Sequence, residues 1–131
     1  MSLKEFLDSG YKFAFSQLED NGTIAPFGIG AKSGEKPTAF FPDDGLPETV
    51  RDKLFADLSS GRFEAVAMFC EVDVDDDPNV KKAIAVYLDN IYGTSQLVLT
   101  PFDIRNEKPQ YGQPTILDNP EPYQPPNNSA L

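Results

Sequence analysis

Residues 63–90 read FEAVAMFCEVDVDDDPNVKKAIAVYLDN, and the fold class follows from them. Two apolar, β-favouring runs flank an acidic turn at residues 73–79, the pattern of a central hairpin in an antiparallel sheet. In the first run Phe63, Ala65, Ala67 and Phe69 point to one face, and Val66, Met68, Cys70 and Val72 to the other. Both faces are apolar, so this strand is expected to be central and covered on both sides. In the return run Ile84, Val86 and Leu88 alternate with Ala83, Ala85 and Tyr87. Three covers are open for the second face: a helix, the C-terminal tail or another subunit.

The flanking segments supply the rest. Residues 2–20 read as a helix opened by a Ser2/Glu5 capping box, with Leu3, Phe6, Leu7, Tyr11, Ala14 and Leu18 on one face. Phe13 and Phe15 widen that stripe. Gly10 is a weak point, costing about 1 kcal/mol relative to Ala in a helix interior, and Asn21-Gly22 ends the helix. Residues 23–42 read as a hairpin turning at Ser33-Gly34-Glu35. Pro26 and Pro37 place it near a sheet edge, and Gly28 and Gly30 indicate a bulge or a close approach to the strand. A second helix opens after Asp43-Asp44-Gly45, with Pro47 in its first turn; Val50, Leu54, Phe55 and Leu58 form its apolar face. Arg51, Lys53 and Asp57 are expected to face water, and Gly61 stops the helix. Residues 96–104 form another strand, which Pro101 demotes toward an edge or a bulge. Residues 111–117 form one short edge strand. Six of the twelve prolines lie between Pro109 and Pro126, and residues 119–131 read as an extended, polyproline-like tail.

The expected fold is therefore α+β: a two-layer sandwich of an antiparallel sheet of about five strands with two helices, in the order α-β-β-α-β-β-β, and a Pro-rich tail. The expected domain is residues 1–118, with residues 119–131 as the tail. A chain of 131 residues is long enough to bury a core without disulfides or metals.

Composition narrows the function. The formal net charge is −10, from 21 acidic and 11 basic residues. Nucleic acid and anionic membrane surfaces are disfavoured, because both require basic protein surfaces. Histidine is absent, which removes the commonest general base and transition-metal ligand. The single Cys70 excludes an intrachain disulfide and reads as a small buried hydrophobe. No secretory h-region opens the chain and no apolar run approaches the ~20 residues of a membrane span, so the cytoplasm is the expected location.

Few features point to chemistry. Asp73, Asp75, Asp76 and Asp77 suit a hard cation, and the spacing of 73, 75, 77 and Asn79 faintly resembles the opening of an EF-hand calcium loop. The match then fails, with Pro78 where Gly is needed and Ile84 where the bidentate Glu belongs. A solvated hairpin tip is the simpler account, and Asp75, Asp76 and Asp77 remain candidates for contact with a basic partner. Glu64 with Glu71, or Asp89 with Asp103, would serve acid–base work only if they converged. Tyr87, Tyr92, Phe102 and Tyr111 are candidates for an interaction patch, since aromatic side chains favour interfaces; the alternative is that the proline-rich tail lies over them. The tail itself has the composition of an SH3- or WW-domain ligand. No cofactor is indicated. The function left standing is a small, acidic, non-catalytic module that binds another protein or its own copy, an immunity-type inhibitor being one form. The alternative is a small-ligand-binding domain or modest enzyme with a pocket between helices and sheet.

Overall fold

One sheet carries the molecule, and every neighbouring pair of its strands is antiparallel. The computed structural model describes residues 3–74, 82–120 and 122–123. The elements are α1 (Leu3–Asn21), β1 (Phe27–Ala31), β2 (Thr38–Phe40), α2 (Pro47–Ser59), β3 (Ala65–Asp73), β4 (Lys82–Asn90), β5 (Ser95–Arg105), β6 (Lys108–Tyr111) and β7 (Thr115–Asp118). The sheet runs β2-β1-β3-β4-β5-β6, with β7 also paired to β5. The α+β class and the order of elements are those expected from the sequence. Ser2, with its capping box, and the turn residues Asp75, Asp76 and Asp77 lie outside the described residues.

The hairpin of β3 and β4 is central, in register from Ala65↔Asn90 to Asp73↔Lys82. Its two faces are covered by different helices. Ala67 and Phe69 lie in a cluster with Phe6, Ala14 and Leu18 of α1. Val66, Met68 and Cys70 lie in a second cluster with Val50, Leu54 and Leu58 of α2. The layering is thus helix–sheet–helix rather than two layers, because a strand apolar on both faces is buried only when each face has its own cover. Burying both sides this way removes the apolar area of β3 from water almost completely, at roughly 25 cal/mol per Å².

Both helices approach the sheet through glycine. In α1 the buried stripe is Phe6, Gly10, Ala14 and Leu18, each four residues from the last and so on one face. A Cβ on Gly10 would run into the ring of Phe69. That ring has no room to yield, being fully buried, stacked on Phe27 (centroids 5.1 Å apart) and met edge-on by Tyr11 (5.2 Å). On the other side a Cβ on Gly28 would meet Val50 and Leu54 of α2, and one on Gly30 would meet Phe63. The pairing of β1 with β3 runs unbroken from Phe27↔Phe69 to Ala31↔Ala65, so close approach, not a bulge, explains the two strand glycines.

At α2, Pro47 opens the helix and the Asp44 carboxylate accepts from the Leu46 amide (3.0 Å) and the Thr49 hydroxyl (2.6 Å). Asp57 departs from expectation: it is buried, not solvent-facing. Lys53, one helical turn earlier, pairs with it at 3.0 Å and Arg62 lies 3.7 Å away, which offsets the burial of the charge.

The sheet has seven strands where about five are expected, because the chain past Arg105 returns along β5 in two pieces. Asn106 and Glu107 both take positive φ (52° and 67°), the geometry of a tight two-residue hairpin turn. Pro101 explains the break between the pieces. The Gly112 N–H donates to the Pro101 carbonyl at 2.8 Å, so the odd-numbered residues of β5 direct their peptide groups toward this edge. Pro101 has no N–H to return. There the register slips by one residue, between Phe102↔Tyr111 and Leu99↔Thr115, so the outer strand bulges. β5 itself is an inner strand.

Gly10→Ala tests the helix–sheet contact. Helix propensity alone favours Ala by about 1 kcal/mol. Packing against Phe69 is expected to reverse the sign and give a net loss of about 1–3 kcal/mol in urea denaturation.

Candidate interaction surface

The candidate residues do not gather on one surface. Phe102 is buried at 4% exposure within the α1-side core. Tyr111 is its register partner on β6, so it points to the same face, where it packs on Phe15 of α1 at 4.6 Å. Tyr87 is half-buried on the opposite face, beneath α2. Tyr92 sits in the β4–β5 turn, 74% exposed, and its hydroxyl donates to Glu64 at 3.0 Å. The tail passes beside two of these rings: Pro120 borders the cleft at Tyr87, and Pro122 borders a hollow at Tyr92. Asp75, Asp76 and Asp77 lie outside the described residues. Among the described residues no three acidic or thiol groups gather closely enough to hold a metal ion.

The carboxylate pairs also stand apart. Glu64 and Glu71 lie seven residues apart along one extended segment, about 23 Å. Glu71 is engaged by Thr23, the Ile24 amide and Lys82, the last at 2.9 Å. Asp103 is exposed and bonded to Arg105. Asp89 lies opposite Ser95, eight residues down β5 from Asp103, or about 27 Å. Cys70 is buried, and burial followed by the nearby Glu71 charge pushes its thiol up to about 11, which keeps it protonated and weakly nucleophilic near neutral pH.

Asp89 does something the sequence did not indicate. It is 2% exposed, yet three donors converge on it: the Ser95 hydroxyl (2.7 Å), the Asn119 side-chain amide (3.1 Å) and the Tyr123 N–H (2.9 Å). Burial raises its pKa above the ordinary 3.8, and the bonds from Tyr123 and Ser95 partly oppose that. A buried carboxylate is tolerated when its lone pairs are filled, and here two of the three donors, Asn119 and Tyr123, come from the start of the tail. The tail is thereby fastened across the α2 face, where the Tyr123 ring meets Phe55 and its hydroxyl lies 3.0 Å from that of Ser59.

Among the described residues a hollow of about 630 Å³ opens along β5 and β6 beside Arg105 and Lys108, and two further features have the shape of binding surfaces. The first is a cleft of about 550 Å³ between α2 and the sheet, within the range of small-molecule sites. Met68, Cys70, Val72 and Tyr87 floor it, Pro47, Glu48 and Arg51 form the α2 wall, and Pro120 closes one side. The Tyr87 phenol is shifted up, chiefly by burial, and Arg51 opposes the shift.

The second is the outer edge along β6 and β7. All four residues of β7 are exposed, Ile116 at 64% and Leu117 at 44%. Ile116 pairs with Val98 and so lies on the α1 side, as Tyr111 does; Leu117 pairs with Leu97 and lies on the α2 side. Because odd-numbered residues of β5 serve this edge, Thr115 and Leu117 spend their peptide groups on Leu99 and Leu97. Ile116 and Asp118 direct theirs outward. Charge is also distinctive here. Residues 91–117 hold two acidic residues, Asp103 and Glu107, and two basic ones, Arg105 and Lys108, so this stretch is neutral in a chain of net charge −10.

Scans of protein-family models, of curated proteins and of solved structures each return no match to this chain. Among the described residues no helix is long and apolar enough to cross a membrane.

The role of Asp89 is open to measurement. Asp89→Ala removes the acceptor that three donors share and is expected to cost about 1–3 kcal/mol. The pH dependence has a definite sign. With its pKa raised on folding, the native state holds the proton over a window above 3.8 where the unfolded chain has released it. Wild-type stability therefore falls as pH rises through that window, relative to Asp89→Asn, whose side chain does not titrate. Urea denaturation of both proteins at a series of pH values reads this difference.

Proposed function

We propose that this chain is a small, non-catalytic protein-interaction module that binds by adding a strand at β7. The single observation that carries this reading is the outward peptide groups of Ile116 and Asp118, set between exposed apolar side chains. Strand addition draws affinity from such main-chain groups and specificity from alternate side chains. Most edges are protected by shortness, proline or charge. β2 has only three residues and lies between Pro37 and Pro42, and the β6 half of the outer edge carries Lys108, Pro109 and the bulge. In β7 only Asp118 is charged. The separation of the carboxylate pairs and the protonated Cys70 support a non-catalytic role, and a cytoplasmic setting fits a free thiol. An inhibitor of immunity type is a special case of the same reading.

The test is capture from a lysate of the source cells. Wild-type bait is expected to enrich a protein about tenfold over an Ile116→Lys/Leu117→Lys bait, a loss of about 1.4 kcal/mol or more. Equal capture by both baits would move the interaction off this edge.

A second reading is favoured by the cleft beneath α2. An Arg51 guanidinium and a Tyr87 hydroxyl over Met68, Cys70 and Val72 suit a small apolar carboxylic acid that exchanges for the partner Arg51 already has, with Glu48 and Glu71 on the same lining. A thermal-shift series with short-chain fatty acids and aryl carboxylates is expected to raise Tm in the wild type and not in Met68→Trp, where the larger side chain fills the floor. No shift with any of these acids at millimolar concentration would remove this reading.

A further inference from the structure

We infer that the strand added at β7 is β7 of a second copy, so that two chains share one continuous sheet across a two-fold axis beside Ile116. This rests on the edge being a binding surface, as proposed above, and names its occupant.

Backbone geometry permits the pairing. Two antiparallel edge strands related by an axis normal to the sheet present the same face on the same side. With Ile116 on the axis, each copy's Ile116 N–H and C=O, which point outward, exchange hydrogen bonds with those of its mate. The side chains then match by face. On the α1 side the two Ile116 side chains, each 64% exposed in the single chain, meet each other. On the α2 side Leu117 of each copy lies against Thr115 of the other. The Asp118 carboxylates sit at opposite ends of the paired segment, about 14 Å apart, so like charges do not face each other.

Charge selects the occupant. Two copies of net charge −10 repel as whole molecules, and they approach only where each is locally neutral. Residues 91–118, which hold β5, β6 and β7 and carry three acidic against two basic residues, come nearest to that. A basic partner would instead be drawn to the acidic remainder of the surface, so a nearly neutral apolar edge on an acidic chain suits a partner as acidic as itself. The opposite edge offers no such match, since β2 is flanked by Glu35, Asp43 and Asp44 against Lys36.

Sedimentation equilibrium of the full chain tests this. Four-residue strand pairing buries less than the ~1,200 Å² of stable complexes, so a weak dimer is expected, visible from about 10 µM to about 1 mM. The wild-type mass is expected to climb toward twice the monomer mass, more readily as salt screens the overall repulsion. Ile116→Pro removes the outward N–H together with the exposed Ile side chain, a change an edge strand tolerates, and Ile116→Lys places like charges on the axis. Both are expected to stay monomeric over the same range while unfolding at the wild-type urea midpoint. Hydrogen exchange of the wild-type Ile116 and Asp118 amides needs no variant, and slower exchange in the concentrated sample is expected. A wild type that stays monomeric throughout, a dimer that persists in both variants, or exchange independent of concentration would each overturn the assignment. A monomeric wild type that still captures a protein lost by Ile116→Lys/Leu117→Lys would overturn the second copy alone and leave the edge as a binding surface for another chain.

Discussion

The ring of Phe69 lies under Gly10, and the α1 half of the molecule is built around that contact. Phe69 is stacked on Phe27, and Tyr11 meets it edge-on. Phe27 reaches Phe41 and Phe13, while Tyr11 reaches Phe15 and, through it, Tyr111. A connected line of rings thus crosses the sheet from beside β2 to β6. Only a helix lacking a side chain at residue 10 settles close enough for these rings to meet both sheet and helix. Gly28 does the same for α2 from the strand side. Each glycine gives up some local propensity, and packing at van der Waals distance offsets that loss.

Covering both faces of β3 with separate helices has a consequence at the sheet's ends. The helices sit over the middle strands, and the first residues of the tail reinforce the α2 side through Asp89. Beyond β5 a helix reaches the outer edge at β6, where Phe15 of α1 packs on Tyr111. There the chain relies on Pro101, whose missing N–H breaks the register and bends the outer strand. The bulge, Pro109 and Pro114 protect one half of that edge and leave Thr115–Asp118 as a straight, nearly uncharged segment. The binding reading of β7 comes from this division, because main-chain groups that point away from β5 there stand beside apolar side chains.

Electrostatics follow the same division. The acidic excess lies outside residues 91–117. Inside the fold, the charges that are buried are matched individually: Asp57 by Lys53 and Arg62, Asp89 by three hydrogen-bond donors. These two carboxylates hold structure together, one at the C-terminal end of α2 and the other where the tail docks.

The sequence by itself determined the α+β class, the element order, the central hairpin and both helices, because those are written in local periodicity, turn residues and helix-ending glycines. It showed through the doubly apolar β3 that two covers were needed, and through Pro101 that the sheet would be irregular beside that residue. The tertiary structure decided that α2, rather than the tail alone or another chain, is the second cover. It turned Gly10 from a weak point into a contact site, moved Asp57 from water to the interior and made Asp89 the buried anchor of the tail. It also separated Tyr87 from Phe102 and Tyr111, which no spacing along the chain predicts, since opposite faces of a sheet differ only by the parity of register across several strands. The candidate edge was visible only as a short strand with two apolar residues. Which of its peptide groups point outward depends on one hydrogen bond, from Gly112 to Pro101, between segments whose pairing only the folded chain establishes.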